Sequence, residues 1–182
     1  MKNNALLVLI SFCSLFASFA VQGAIRPEKI HVAEARKTQA YIREGLFIGG
    51  DHSIDDVTIN DIRRSITPGF ERIVIDLQGN RGGEPAAIER PPYYQVAVSP
   101  DEKRLVVTVW GTPKLAFDPK KIAGVFKKKS AVTGLELLPK VENDSWSFVV
   151  NLSAKNAAVE VFELNRPVRI SIDIRSGMKG RN

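Results

Sequence analysis

Regular alternation of apolar and polar residues dominates the chain from residue 57 onwards, and it predicts β-strands. The run Arg72-Ile73-Val74-Ile75-Asp76-Leu77 is typical, since its apolar residues at odd positions share one face. Gly and Pro interrupt the alternation between residues 78 and 92, which predicts a loop. The pattern predicts further strands at 57–62, 93–98, 104–110, 132–138, 145–152, 159–164 and 169–174.

A different pattern, DPKKIAGVFKKK, occupies residues 118–129 and predicts a short helix. Asp118 suits the N-cap, and Pro119 suits the first helical position. Ile122, Val125 and Phe126 follow the spacing of one apolar stripe. The predicted fold is therefore all-β, a mainly antiparallel β-sandwich or partly open barrel with one short helix.

The first 24 residues have the pattern of a secretory signal peptide. Lys2 provides the positive start, an apolar stretch follows from residue 5 to 20, and small residues end it at Gly23 and Ala24. An uncleaved N-terminal anchor is the alternative. After this segment we expect a linker or frayed helix at 25–52, because its first part is highly charged. The β domain is expected at 53–176, with a loose tail at 177–182.

Composition narrows the possible chemistry further. The 182-residue chain has a net charge of +6 and a single cysteine, Cys13, which lies within the predicted signal peptide. Cleavage of the signal peptide would remove this cysteine. It would also lower the net charge to +5, because Lys2 is the only charged residue among the first 24. The remaining chain has no disulfide, thiol nucleophile or cysteine-ligated metal. We expect a periplasmic or otherwise exported protein of the bacterial cell envelope, with no membrane span after cleavage.

Two stretches of the chain share one layout of strand, loop, strand, turn and strand. The first spans 71–109 and the second 145–174. Their last strands begin with Arg104 and Arg169, and Arg72 begins the first strand of the first stretch. A charge four positions along a strand lies roughly 13 Å away, so these arginines should meet partners on neighbouring strands. The pattern fits an internal repeat or an ordinary solvated sheet face, and we treat the three arginines as candidate binding residues.

Residues 145–174, SWSFVVNLSAKNAAVEVFELNRPVRISIDI, resemble the AMIN family of periplasmic modules attached to cell-wall amidases and to pilus and secretion pores. Pro167, Arg169 and Asp173 occupy the family's positions for a proline, a basic residue and a strand-ending aspartate. Residues 69–77 and 92–96 resemble AMIN-like lipoproteins and secreted proteins, while the lysine-rich insert at 114–129 departs from the pattern. The resemblance, which covers roughly 57–175, implies a non-catalytic β-sandwich that contacts peptidoglycan.

The sequence contains few candidates for catalytic residues. His31 and His52 are the only histidines, and the chain lacks a zinc-helix motif, a phosphate-binding glycine loop and a nucleophile elbow. Asp51-His52-Ser53 contains the residue types of a triad, but adjacent side chains point apart. Aspartates between 51 and 61 lack the pattern of a calcium loop. We expect that the protein is not an enzyme and has no cofactor and no metal site. A small envelope hydrolase is the weakest alternative.

Lysines and one tyrosine are the strongest candidates for binding. On the predicted helix, Lys120 and Lys127 would lie on one flank of the apolar stripe, and Lys121 and Lys128 on the other. Such a patch attracts anions, although a merely solvated helix face is the alternative. Four aromatic residues are candidates for stacking on sugar rings: Tyr93, Tyr94, Trp110 and Trp146. Tyr93 is the best candidate for an exposed aromatic residue, whereas the phase of the alternation places Tyr94 and Trp146 in the core.

The function expected from these features is envelope binding without catalysis. The partner would be peptidoglycan or another anionic envelope polymer. The alternative is a protein-interaction subunit of a pilus, secretion or cell-wall enzyme complex. Nucleic acid is a poor partner for an exported protein with few aromatic residues among its lysines.

Overall fold

A computed structural model describes residues 29–176 as two β-sheets with one short helix, which confirms the predicted β-sandwich. The predicted signal peptide (1–24) and tail (177–182) lie outside the described residues. The strands are β1 (Ile30–Val32), β2 (Gly45–Gly49), β3 (Val57–Thr67), β4 (Phe70–Arg81), β5 (Glu84–Ala86), β6 (Tyr94–Ser99), β7 (Arg104–Trp110), β8 (Lys114–Leu115), β9 (Val132–Leu137), β10 (Ser145–Leu152), β11 (Ala158–Asn165) and β12 (Val168–Arg175). The helix α1 spans Pro119–Val125, and in the part of the chain that the structure describes no helix could cross a membrane.

The strands form two six-stranded sheets. Sheet A has the order β1-β2-β6-β7-β10-β9, and sheet B has the order β11-β12-β4-β3-β8, with β5 added beside β4. The pairs β1–β2 and β3–β8 are parallel, and the other pairs are antiparallel. Antiparallel neighbours such as β6 and β7 are joined by hairpins, whereas the two parallel pairs need longer connections.

The core lies between the inner faces of the two sheets. Strands β4, β6, β7 and β10 bury every second residue, as their sequence alternation predicts. Trp146, Tyr94 and Phe148 are the largest fully buried side chains. The Trp146 indole N–H donates to the carbonyl of Leu138 at 3.0 Å, so its one polar atom is satisfied. The predicted core positions of Tyr94 and Trp146 are confirmed.

The two stretches of similar layout take up equivalent positions in the sandwich. Strand β4 of the first stretch pairs with β12 of the second, and β10 of the second pairs with β7 of the first. The order β6-β7-β10-β9 in sheet A thus matches β11-β12-β4-β3 in sheet B. The two hairpins also share a register, since Ser99 pairs with Arg104 and Leu164 pairs with Arg169. The similarity along the sequence therefore corresponds to a similarity in strand arrangement.

The prediction of a linker or frayed helix at 25–52 is wrong for the residues that the structure describes. Strands β1 and β2 extend sheet A beyond β6, with Leu46 and Phe47 buried. Between them, residues 33–42 form a strap along the free edge of β11, where Ile42 and Val159 exchange two backbone hydrogen bonds of 2.8 and 2.7 Å. The apolar run of β2 is only five residues long, too short to display a period among charged neighbours.

The helix α1 is shorter than its sequence suggests. Asp118 caps it by accepting a hydrogen bond from the Lys120 N–H at 2.8 Å, and the helix ends at Val125. Ile122 and Phe126 are buried, but Val125 is 42% exposed, so the expected three-residue stripe is wrong at that position. Arg64 Nη1 donates to the Val125 carbonyl at 3.3 Å, which ties the end of the helix to β3.

Candidate functional site

A cleft lies where four loops meet at one end of sheet A. The loops follow β2, precede β6, follow β7 and precede β10. The register Gly49–Tyr94, Tyr94–Val109 and Trp110–Ser145 brings these strand ends side by side. The antiparallel order of sheet A therefore assembles residues from four distant parts of the sequence.

Backbone hydrogen bonds fix the loops to one another. The Asp51 N–H donates to the Pro91 carbonyl at 3.0 Å, and the Tyr93 N–H donates to the Asp51 carbonyl at 3.0 Å. The Trp110 N–H then donates to the Tyr93 carbonyl at 2.9 Å. The Thr112 N–H donates to the Asp144 carbonyl at 3.0 Å, which joins the fourth loop. The side chains of the cleft are thus held by main-chain contacts.

Three aromatic rings form a continuous surface in the cleft, which we call the aromatic cluster: His52, Tyr93 and Trp110. The His52 and Tyr93 rings are stacked, with centroids 3.8 Å apart and an interplanar angle of 22°. Tyr93 and Trp110 are tilted, with centroids 5.1 Å apart. His52 is exposed, and Tyr93 and Trp110 are half-buried. Gln95 Nε2 donates to the Tyr93 hydroxyl at 2.6 Å and so orients that ring.

Carboxylates surround the aromatic cluster. The cleft has a volume of about 420 Å³, and its lining includes Asp51, Asp55 and Asp144 beside the three rings. Asp51 accepts hydrogen bonds from the Ser53 hydroxyl at 2.7 Å and from the Ser53 N–H at 2.8 Å. These bonds lower the pKa of Asp51, so its carboxylate stays charged. The cleft offers apolar ring faces together with hydrogen-bond acceptors.

The hydrogen bonds of Asp51, His52 and Ser53 are not those of a catalytic triad. Asp51 binds Ser53, while the His52 ring lies on Tyr93. A relay would need the histidine between the acid and the nucleophile. This arrangement instead uses His52 as part of the ring surface.

Two glycines allow the loops of the cleft to pack closely. Gly50 has a φ of 80°, and a Cβ there would lie 2.0 Å from the Pro92 carbonyl oxygen. Gly111 has a φ of 87°, and its Cβ would lie 2.8 Å from the Ile54 carbonyl oxygen. Thr112 has a φ of 48°, a rare conformation for a β-branched residue. Such conformations persist where the surroundings enforce them, often at ligand sites.

The four candidate lysines do not form the aligned pair of flanks that the sequence predicts. Lys120 and Lys121 lie on α1, but Lys127 and Lys128 follow its end, so a helical period no longer relates them. The helix ends in a tighter turn, since the Phe126 and Lys127 N–H groups donate to the carbonyls three residues back, at 3.2 and 3.3 Å. All four are exposed, have no ion-pair partner within residues 29–176, and lie outside the lining of the aromatic cleft.

The three candidate arginines do not share a face. Arg72 and Arg169 lie on β4 and β12 of sheet B, whereas Arg104 lies on β7 of sheet A. Alternation along a strand predicts which face of the strand is buried, but not the sheet that contains the strand. The first strand of each stretch joins the sheet of the other stretch, so Arg72 and Arg104 lie in different sheets.

The expectation of cross-strand partners is confirmed at Arg72. Its guanidinium donates to Asp173, directly opposite on β12, through Nε at 2.6 Å and Nη2 at 2.9 Å. The expectation is wrong at the other two arginines, which contact residues two positions back in the preceding turn. Arg104 pairs with Glu102, and Arg169 donates to the Pro167 carbonyl at 3.2 Å.

Of the sequence candidates, Trp110 lies in the aromatic cleft, and so does the preferred aromatic residue, Tyr93. Sequence reasoning missed its stacking partner His52, which is far away along the chain, and the carboxylate of Asp144. Both residues lie beside the ends of strands that are neighbours in sheet A. Knowledge of the strand order would therefore have predicted that they lie near Tyr93, but the sequence does not give that order.

Comparisons with known proteins add no family to this picture. No protein-family model, curated protein or solved structure matches the chain. Within residues 29–176, no group of three or more His, Cys, Asp or Glu side chains is placed to hold a metal ion.

Proposed function

We propose that this protein is an exported, non-catalytic envelope-binding module that contacts peptidoglycan through the aromatic cleft. The observation that carries the proposal is the accessible stack of His52, Tyr93 and Trp110 beside charged carboxylates. The predicted signal peptide and the resemblance to AMIN modules support the same compartment and ligand.

The chemistry of the cleft suits a sugar chain. The C–H faces of sugar rings are apolar and pack on flat aromatic side chains, while their hydroxyl and amide groups donate hydrogen bonds. Asp51, Asp55 and Asp144 provide acceptors at the border of the rings. Preformed rings and loops reduce the ordering cost of binding, because the protein has little conformational freedom left to lose.

The exposed lysines have a different part in this proposal. They raise the local concentration of an anionic polymer at low salt, and their effect weakens as salt screens it. Contact within the cleft is short-ranged and should persist at higher salt. The two contributions can therefore be separated experimentally.

Sedimentation with purified sacculi at low and high salt tests the proposal. We expect the Tyr93→Ala/Trp110→Ala variant to lose binding at both salt concentrations. The matched control, in which Lys120, Lys121, Lys127 and Lys128 become Ser, should lose only the part that is sensitive to salt. Unchanged sedimentation of the aromatic variant would contradict the proposal, provided that both variants unfold at the wild-type temperature.

A second candidate function is docking to a protein of an envelope complex through the open edge of β9. Strand β9 is the last strand of sheet A, and Leu138 beside it is 47% exposed. Such an edge can accept an added strand from a partner. A partner that co-purifies with the wild type but not with Leu138→Lys, in the absence of sacculus binding, would favour this function.

A further inference from the structure

A second cleft, which shares no residue with the aromatic cleft, lies at the edge of sheet B. Its volume is about 700 Å³. The strap, the turn between β3 and β4, the start of β11 and the end of β12 surround it. Its lining residues are Tyr41, Arg43, Pro68, Gly69, Phe70, Asn156, Ala158, Arg175 and Ser176.

Among the described residues, the lining of this cleft carries positive charge alone. Arg43 and Arg175 have no ion-pair partner in the described part of the chain, and no carboxylate lines the cleft. Two acidic residues on the outer face of sheet B have other partners. Asp173 binds Arg72 and Lys37, and Glu160 accepts the Thr38 N–H at 2.7 Å. The two arginines thus remain available to an anion.

The aromatic walls of the cleft are held in place. Ile42 and Val159 exchange backbone hydrogen bonds, which fixes Tyr41 and Arg43 on either side of Ile42. The Arg175 guanidinium lies 4.0 Å from the centroid of the Tyr41 ring. A guanidinium stacked on a ring keeps its edge N–H groups free to donate. Lys37 Nζ lies 4.1 Å from the centroid of the Phe70 ring, which packs that wall against the strap.

We propose that this cleft binds the free carboxylate end of a short peptide with small apolar side chains. The guanidinium group of an arginine presents two parallel N–H donors, which match the two oxygens of a planar carboxylate. The apolar surface of Tyr41, Pro68, Phe70 and Ala158 suits a peptide better than a hydrated inorganic phosphate, which would gain nothing from these walls. The Asn156 amide provides a hydrogen-bonding group for a peptide backbone. The inference does not depend on sugar binding at the aromatic cleft.

Titration of the isotope-labelled protein, followed by NMR chemical shifts, tests this assignment. The probes are an alanine tetrapeptide as the free acid, the same peptide as the C-terminal amide, and inorganic phosphate. We expect the free acid to shift resonances around Tyr41 and Phe70, and the amide to bind at least about tenfold more weakly. Arg43→Gln and Arg175→Gln should each weaken binding of the free acid by about the same factor.

Controls keep the outcome interpretable. Arg81→Gln, a matched change at an exposed arginine outside the cleft, should leave the peptide affinity unchanged. The Tyr93→Ala/Trp110→Ala variant should also bind the peptide normally, so failure of either proposal is visible separately. Equal binding of acid and amide, tighter binding of phosphate than of the peptide, or no binding of the free acid would overturn the assignment.

Discussion

Replacing Asp173 by Asn should strongly destabilise the fold, because this carboxylate joins three parts of the molecule. Asp173 lies on β12 and is fully buried. It accepts two hydrogen bonds from Arg72 on β4 and one from Lys37 on the strap. The amide would fill the same space but would leave two cations without their counter-charge.

The size of the effect follows from the burial of the partners. Removing one member of a buried ion pair costs about 3–5 kcal/mol. The side chains of Lys37 and Arg72 are 28% and 29% exposed, so water compensates part of the lost interaction. We therefore expect the free energy of unfolding at pH 7 to fall by about 2–4 kcal/mol.

The same contact predicts how stability depends on pH. Burial opposes ionisation of Asp173, but hydrogen bonds and charge from Arg72 and Lys37 outweigh it and lower its pKa. Its contribution is present above the unfolded-state pKa of about 3.9 and is lost as the pH falls through the lower, folded-state pKa. Asp173→Asn should therefore lose less stability than the wild type on acidification below about pH 4.

Urea unfolding of the two proteins at several pH values measures both effects. The matched control is Asp101→Asn, since Asp101 is 96% exposed and lies 3.4 Å from Lys155. The control should change stability by less than about 0.5 kcal/mol. Equal losses for Asp173→Asn and Asp101→Asn, or parallel acid profiles for the wild type and Asp173→Asn, would refute the reasoning.

Three further predictions concern the cleft, the helix and the core. Gly50→Ala should disrupt the loop that carries His52, because its Cβ would overlap the Pro92 carbonyl, and NMR shifts of the loop should report the change. A Cβ at Gly124 in α1 would have no atom within 4 Å, so Gly124→Ala should instead raise the melting temperature slightly. Unchanged loop shifts in Gly50→Ala, or a lower melting temperature of Gly124→Ala, would contradict the geometry. Trp146→Ala should lower the free energy of unfolding by about 3–5 kcal/mol in urea, and a loss below about 1 kcal/mol would contradict its place in the core.

Much of the fold could be predicted from the sequence, because a sheet with one buried face leaves an alternating pattern in each strand. The strands β4, β6, β7 and β10 display it, and their buried faces follow from it. Strand β12 alternates in sequence, but Ser171 and Asp173 on its polar face are buried as well. The assignment of strands to sheets could not be predicted, since alternation is the same in either sheet. Alternation therefore could not show that Arg104 lies in one sheet while Arg72 and Arg169 lie in the other.

The candidate site was only partly predictable for a related reason. Tyr93 follows from its phase opposite Tyr94, which is a local property of one strand. Its contact with His52 depends on the pairing of β2 with β6, and β2 is too short to show a period. The lysines do not form an aligned patch because the helix ends at Val125, before Lys127 and Lys128. The apolar spacing of Ile122 and Phe126 does not reveal that end, since both side chains are buried as a longer helix would bury them.

Titration with soluble, peptide-free glycan chains from peptidoglycan tests the central claim most directly. Trp110 is half-buried in the cleft, whereas Trp146 is fully buried in the core, so a ligand should alter the fluorescence of Trp110. We predict a saturable change in the wild type that disappears in Trp110→Phe and weakens in Tyr93→Ala. An unchanged spectrum in glycan chains, with sacculus sedimentation that Tyr93→Ala retains, would show that the aromatic cleft is not where the protein binds the cell wall.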